Sequence, residues 1–107
     1  MSDPRRAARM EGLRAMLEAD PDDAFALYGL ALEQRAEDEV EAAEALLRRL
    51  LVVEPGHLYG YFQLGELLLD EGRPDEAAPL LREGVQRAEA VADGKAAREI
   101  GGLLARC

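Results

Sequence analysis

The sequence predicts an all-α protein built from a repeated helix–turn–helix unit, and three observations support this. Leu, Ala, Glu and Arg dominate, whereas Thr, Asn and Trp are absent and Ile100 is the only isoleucine. The chain is thus poor in the β-branched and aromatic residues that strands favour. Apolar residues recur at helical spacing between prolines, glycines and aspartates that start or stop helices. The sequence also resembles itself when shifted by 34 residues.

Length and composition together predict one small domain. The chain has 107 residues, of which 49% are hydrophobic, so it can bury one core. We therefore expect a single domain over residues 1–107.

The first predicted helix covers residues 4–20. Asp3 can cap it and Pro4 suits its first turn. Pro21 ends it, because the residue before a proline avoids the α-helical region. Its apolar face consists of Met10, Leu13, Met16 and Leu17.

Two further helices follow, over about 23–35 and 39–54, and Pro55 and Gly56 end the second of them. A fourth helix is predicted over about 57–71, with Gly72 as its left-handed cap.

A fifth helix opens at Pro74 and runs to about residue 91, with Pro79 tolerated one turn from its start. Asp93 can cap a sixth helix. Its apolar side consists of Ala96, Ala97, Ile100, Leu103 and Leu104.

The shift of 34 residues defines the repeat. It places Pro21 on Pro55 and Ala43 on Ala77, and it aligns three leucines, Leu13, Leu47 and Leu81. The first helix, 4–20, is therefore the second half of an incomplete repeat. Two full repeats follow, 24–57 and 58–91, and residues 93–107 stand where a third would begin.

A helix–turn–helix unit of 34 residues resembles the tetratricopeptide repeat (TPR). The second repeat carries the family pattern with Tyr61, Gly65, Leu68, Gly72, Ala77, Leu81 and Gly84. It departs from the pattern at Glu89, which replaces the usual proline. The first repeat departs at Gln34, where a bulky residue is usual, and no glycine marks its turn. A local shift that aligns Gly29 with Gly65 and Leu32 with Leu68 is an alternative for this part.

The resemblance implies antiparallel helix pairs stacked as a short α-solenoid. Gly65 and Ala77 are then the close contacts of the second pair, and Gly84 packs against the following helix. Residues 93–107 are expected to cap the second repeat, because an open stacking face is apolar. The alternative is a free helix that occupies the binding surface.

In the TPR family the first helices of the repeats line a concave groove, so the resemblance implies binding of a peptide or protein segment there. Our candidate residues are Phe25, Tyr28, Tyr59, Phe62, Glu66 and Leu69. Alternatively, these aromatics only fill the seam between helices; we expect Tyr28 and Phe62 to be more exposed than Phe25 and Tyr59. Some TPR proteins grip a C-terminal carboxylate with Lys, Arg and Asn, and this signature is missing here.

The formal net charge of −9 bears on the partner. An acidic protein repels nucleic acid and anionic lipid, so we expect neither nucleic acid nor a membrane. A basic or apolar peptide or protein suits the chain better. The alternative function is homo-oligomerisation through the groove or the solenoid ends, so the chain is expected to be a monomer or a weak homodimer.

Catalytic chemistry finds little support in the sequence. Ser2, His57 and Cys107 are the only serine, histidine and cysteine, and they are far apart in the chain. A nucleophile needs an oriented base nearby, and metal sites need clustered ligands. We therefore expect no enzyme activity, no cofactor and no metal site. The N-terminal residues lack an apolar segment behind their arginines, so we expect no signal peptide and a cytoplasmic location.

Overall fold

In the computed structural model, which describes residues 3–107, the chain forms six α-helices and no strand in that part. The helices are α1 (Pro4–Ala19), α2 (Ala24–Ala36), α3 (Val40–Val53), α4 (Leu58–Asp70), α5 (Pro74–Ala90) and α6 (Gly94–Leu104). The predicted all-α class and the helix–turn–helix repeat are confirmed. No helix in residues 3–107 is both long and apolar enough to span a membrane.

Helices α1, α2, α4 and α6 begin where a capping side chain accepts a hydrogen bond from a backbone N–H group. The carboxylates of Asp3, Asp23 and Asp93 accept from the N–H groups of Arg5, Ala26 and Ala96, at 2.9, 3.1 and 3.0 Å. The α4 cap is His57, whose Nδ1 accepts from the Gly60 N–H at 3.0 Å. Each cap satisfies one of the N–H groups that a helix start leaves without an intrahelical partner.

The turns that follow α2, α4 and α5 share one backbone motif. Each contains a residue in the left-handed conformation, Asp38, Gly72 or Ala92, with φ of 59°, 70° and 58°. The N–H of the following residue donates to a carbonyl five residues earlier, at 2.8, 2.8 and 2.9 Å. This pattern closes a helix as a Schellman motif. Only Gly72 was predicted in this role.

The N-terminal unit, Met1–Pro55, contains α1, α2 and α3. Within it, α2 packs on both α1 and α3. Its buried apolar residues are Met10, Ala26, Leu27, Leu30, Ala31, Ala43, Leu47 and Leu50. Only Met10 of these comes from α1, so α1 is the least buried helix of the unit.

The position of Gln34 settles the alignment of the first repeat. Gln34 is buried, as is Leu68, and Ala31 is fully buried, as expected for the counterpart of Gly65. Leu32 is only partly buried. The 34-residue spacing therefore holds through the first turn, and the alternative local shift is wrong.

The C-terminal unit, Gly56–Cys107, contains α4, α5 and α6, and each pair of these helices is in contact. Gly65 of α4 is buried against Leu81 of α5. A Cβ atom on Gly65 would lie 2.7 Å from the Cγ atom of Leu81, which is too close for two carbon atoms. The glycine thus lets α4 and α5 approach closely.

Gly84 of α5 serves two helices. A Cβ atom there would lie 2.8 Å from Cβ of Tyr61 in α4 and 3.3 Å from Cγ2 of Ile100 in α6. The predicted contact with the following helix is therefore present, and Tyr61 is closer still. Within α6, Ala96, Ile100 and Leu103 are buried, which matches its predicted apolar side. The α5 helix continues through Pro79 to Ala90.

Candidate functional site

The predicted site residues on α4 share one face of the helix. Tyr59, Phe62, Glu66 and Leu69 are spaced by three and four residues, and all four are partly buried. The rings of Tyr59 and Phe62 lie 6.3 Å apart between centroids, with an interplanar angle of 59°. This is a tilted aromatic pair of the kind that stabilises by roughly 0.5–1.5 kcal/mol. The structure thus brings these two candidates into contact.

The two candidates on α2 differ in exposure. Phe25 is 72% exposed, whereas Tyr28 is partly buried. The sequence predicted that Tyr28 and Phe62 would be more exposed than Phe25. This prediction is wrong, because Phe25 is the most exposed of the three side chains. Phe25 is exposed because it stands at the edge of a cleft that no helix covers in the N-terminal unit.

This cleft lies between α1 and α2 and has a volume of about 460 Å³. It is lined mainly by apolar residues and glycines, namely Gly12, Leu13, Met16, Phe25, Gly29 and Leu32. Sequence reasoning missed the cleft. The available signal was a pair of glycines, one on each helix. Gly12 adds no side chain to the cleft. Gly29 packs directly on Leu13, since a Cβ atom on Gly29 would lie 3.2 Å from Cδ2 of Leu13.

An ion-pair cluster forms the polar rim of the cleft. Arg6 and Arg9 donate from Nε to the two carboxylate oxygens of Glu33, each at 3.0 Å. These bonds, with Arg9 contributing most, hold the pKa of Glu33 below its ordinary value. The cluster joins α1 to α2 and leaves the rest of the cleft wall apolar.

A second polar cluster joins α4 to α5. The buried Tyr61 donates its hydroxyl proton to Oε2 of Glu83 at 3.1 Å, and Arg87 Nε donates to the same oxygen at 2.8 Å. Burial, followed by the bond to Glu83, raises the pKa of Tyr61 to about 12. The Arg87 bond, followed by that of Tyr61, lowers the pKa of Glu83. Tyr61 therefore stays protonated and acts as a structural donor.

This pKa shift predicts a loss of stability at alkaline pH. Tyrosine in the unfolded chain loses its proton near pH 10.0, whereas Tyr61 in the folded chain keeps it until about pH 12. Because the folded state binds this proton more tightly than the unfolded state, the stability that Tyr61 contributes is fully present below pH 10. It is lost as the pH rises from 10 to 12. Thermal melts over this range should therefore drop more for wild type than for Tyr61→Phe. Equal drops would show that Tyr61 does not cause the loss.

The residues considered for catalysis or metal binding are not brought together. His57 serves as the α4 cap, and Cys107 is exposed at the end of the chain. Ser2 lies outside the described residues. Within residues 3–107, no three His, Cys, Asp or Glu side chains form a group suited to a metal ion.

The fold is similar to that of several solved tetratricopeptide repeat structures. The solution structure of a tetratricopeptide repeat domain protein from Salinibacter ruber is 29% identical, with a TM-score of 0.75, over 81% of this chain and 88% of that one. A crystal structure of a tetratricopeptide repeat domain protein from the same organism is 27% identical, with a TM-score of 0.73, over 78% of this chain and 94% of that one.

The TPR2B domain of yeast Sti1, solved in complex with pHsp70, is 19% identical, with a TM-score of 0.82. The match covers 89% of this chain and 76% of the yeast domain. Comparison with protein-family models gave no match, and neither did comparison with curated proteins. The structural similarities agree with the 34-residue repeat and the observed helix pairs. The resemblance to the tetratricopeptide repeat family is thereby confirmed, and the fold is that of tetratricopeptide repeat structures.

Proposed function

We propose that the protein is an interaction module that binds a peptide or protein segment on the first helices of its repeats, α2 and α4. The observation that carries this proposal is the α4 face, where a tilted aromatic pair, Tyr59 and Phe62, adjoins Glu66 and Leu69. The four side chains are only partly buried, so they leave apolar and acidic surface that a ligand can cover. On α2, the exposed Phe25 offers further apolar area.

The chemistry of α4 favours a ligand with apolar and basic side chains. The helix contains two acidic residues, Glu66 and Asp70, and no basic residue. Aromatic faces next to carboxylates attract Lys and Arg through cation–π and charge interactions, each contributing about 0.5–1 kcal/mol at exposed sites. Because the chain has no asparagine and few basic residues on its first helices, the ligand is an internal segment and not a clamped C-terminal carboxylate.

The fold comparison supports an interaction role in general. The yeast Sti1 domain, which shares this fold, was solved in complex with pHsp70. Large aromatic side chains near the centre of an interface also contribute most of the binding energy in many complexes. The aromatic pair on α4 is therefore the part of the surface on which binding should depend most.

A selection from a random peptide library tests the proposal. Peptides that bind the 107-residue chain should be enriched in Arg or Lys next to aromatic or aliphatic residues. The Kd of an enriched peptide should rise about tenfold or more in Phe62→Ala, equivalent to about 1.4 kcal/mol. Glu66→Gln should selectively weaken the most basic peptides.

Val52→Ala is a matched control, because Val52 is 71% exposed and lies on α3. This helix is the second of its repeat and is not one of the two proposed binding helices. The Kd of Val52→Ala should equal that of wild type. A Kd that is unchanged in a folded Phe62→Ala variant would contradict the proposal, as would selected peptides without basic or apolar enrichment.

A further inference from the structure

Exposed apolar side chains are concentrated at the cleft between α1 and α2. Four large apolar side chains are exposed in residues 3–107, and two of them, Met16 and Phe25, line this cleft. The other two are Val52 on α3 and Val91 at the end of α5. Single exposed apolar residues are ordinary, whereas an apolar patch marks an interaction site. The volume of about 460 Å³ lies within the range of about 300–1,000 Å³ that is usual for binding pockets.

The walls of the cleft select a ligand that satisfies its own backbone. α1 and α2 are α-helices, so the N–H and C=O groups in the middle of each helix bond within that helix. An extended peptide buried between them would leave its own N–H and C=O groups without partners, which is costly. A helical ligand pairs these groups internally. The cleft therefore suits a helix better than a strand.

Small residues on α1 leave space for such a helix. A Cβ atom on Gly12 would meet nothing within 4 Å, so the cleft is open above this residue. Ala8, Ala15 and Ala19 are exposed and follow Gly12 at helical spacing along the side of α1 next to the cleft. Side chains of this size let another helix approach to the usual distance of about 8–10 Å between axes.

The charges of the two walls favour an acidic group on the ligand. Together α1 and α2 contain five arginines against three glutamates, a net charge of +2. On the cleft itself the side chain of Arg9 is 52% exposed, whereas that of its partner Glu33 is 20% exposed. Within residues 3–107, Arg9 bonds to Glu33 through Nε alone, so its two terminal NH2 groups are left for other acceptors. A ligand that enters the cleft thus meets hydrogen-bond donors at this end.

The carboxylates at the opposite end of the cleft already have partners within the chain. In the turn that joins α1 to α2, Asp22 forms an ion pair with Arg49 of α3. Asp23 caps α2, and Asp20 accepts a hydrogen bond from the N–H of Asp22. These bonds reduce what the turn offers to a basic ligand, so Arg9 determines the charge preference of the cleft.

We propose that the α1–α2 cleft binds an amphipathic helix of another protein, with Asp or Glu at the end that lies next to Arg9. Apolar side chains at positions i, i+3 or i+4, and i+7 of that helix pack over Gly12, between Met16 and Phe25. Its carboxylate accepts hydrogen bonds from the terminal NH2 groups of Arg9. This is a second binding surface, and it selects acidic ligands where the α4 face selects basic ones.

A second copy of the chain is a poor occupant of the cleft. The exposed large apolar residues that it could insert are Val52 and Val91, which belong to different elements and form no stripe along one helix. The apolar faces of its helices are buried within its own two units. The partner is therefore a different protein.

The net charge of the chain, −9, repels an acidic ligand at long range. At physiological ionic strength the Debye length is about 8 Å, so this field is largely screened, whereas a hydrogen bond to Arg9 acts at contact. Binding is therefore measured in physiological salt.

A library of helical peptides, selected against the 107-residue chain, tests the proposal. Each peptide has about 14 residues, or four turns, is held helical by a side-chain cross-link and carries a randomised face. Peptides that also bind Gly12→Glu are removed, because this variant places a carboxylate in the cleft. Gly12 has space for a side chain, and circular dichroism verifies that the variant is folded. The remaining peptides should be apolar at i, i+3 or i+4, and i+7, with Asp or Glu at one end.

Fluorescence anisotropy then measures the Kd of one such peptide. The Kd should rise about threefold or more in Arg9→Gln, and a peptide whose acid is replaced by Gln should not distinguish this variant from wild type. Arg14→Gln is the matched control, because Arg14 lies on the same helix, is exposed and does not line the cleft. Its Kd should equal that of wild type. Phe62→Ala should also leave the Kd unchanged, which distinguishes this surface from the α4 face.

Three results would overturn the proposal. The first is a selection in which no peptide distinguishes wild type from Gly12→Glu, or in which Lys and Arg are enriched instead of acids. The second is an equal response of the peptide Kd to Arg9→Gln and Arg14→Gln. The third comes from gel filtration with light scattering. A wild-type mass that rises with concentration, while Gly12→Glu stays monomeric, would assign the cleft to a second copy of the chain.

Discussion

Replacing Gly65 with leucine is expected to destabilise the C-terminal unit by about 1–3 kcal/mol, the usual range for overpacking a core. The first added atom, Cβ, would already lie 2.7 Å from Cγ of Leu81, and Leu81 is completely buried. Neither side chain has space to move into, so α4 and α5 must separate. In a domain of this size, each kcal/mol lowers the melting temperature by roughly 4–8 °C. Thermal melts followed by circular dichroism measure this loss.

Helix propensity alone predicts that Gly65→Leu raises the stability, which is the opposite of the loss expected here. The prediction is therefore easy to contradict. Glycine within a helix is about 1 kcal/mol less favourable than alanine or leucine. Gly102→Leu is the matched control, because Gly102 lies in α6, is exposed and has no atom within 4 Å of a would-be Cβ. It should melt at or above the wild-type temperature. If Gly65→Leu does the same, the close contact between α4 and α5 is wrong.

A second substitution identifies the contact itself. Leu81→Ala alone should destabilise by about 2–5 kcal/mol, because it removes a completely buried side chain. In the Gly65→Leu background it should cost much less, since it makes room for the new leucine. Such a coupling between Gly65 and Leu81 is expected only for side chains that touch.

The helix boundaries could be predicted because their signals are local. Asp3, Asp23 and Asp93 each accept a hydrogen bond from the first turn of their own helix, and Pro4 and Pro74 are each the first residue of a helix. These interactions lie within a few residues of one another, so the sequence contains all the information they need. The observed ends of α1 to α5 accordingly agree with the predicted ones to within one residue, whereas α6 ends at Leu104, three residues before the predicted end of the C-terminal helix.

Two of the three left-handed turns could not be predicted. Gly72 favours a positive φ, and the sequence identified it. Asp38 tolerates this conformation and Ala92 disfavours it, yet both adopt it. The returning hydrogen bonds from Glu39 and Asp93 close the preceding helix in each case. The repeat geometry therefore overrides the preference of the residue.

The sequence predicted which candidate residues share one face of a helix. It could not predict how exposed each of their side chains is. The spacing of Tyr59 and Phe62 places them together, and the structure agrees. Exposure depends on which other elements cover a side chain, and local pattern does not contain that information. Phe25 is exposed because the α1–α2 cleft beside it is open.

Deleting residues 93–107 should abolish cooperative unfolding of the C-terminal unit. The deletion removes α6, whose Ala96 and Ile100 are completely buried and whose Leu103 is nearly so. Burial of Ile and Leu side chains stabilises by about 1.5–3 kcal/mol each, so their loss removes roughly 3–6 kcal/mol. A small domain has only about 5–15 kcal/mol of total stability. The deletion also uncovers Gly84, which packs on Ile100.

Hydrogen exchange distinguishes this capping role from that of a detachable helix. If α6 is part of the folding unit, the amides of α4 and α5 should lose protection in the truncated chain and the melt should broaden. A chain that lacks only residues 105–107 is the control. It loses Arg106, whose ion pair with Asp70 spans 3.8 Å between two exposed side chains and contributes at most about 1 kcal/mol. If the long deletion instead melts as sharply as the short one and at the same temperature, then α6 is detachable. In that event the rest of the C-terminal unit is stable on the contacts between α4 and α5 alone.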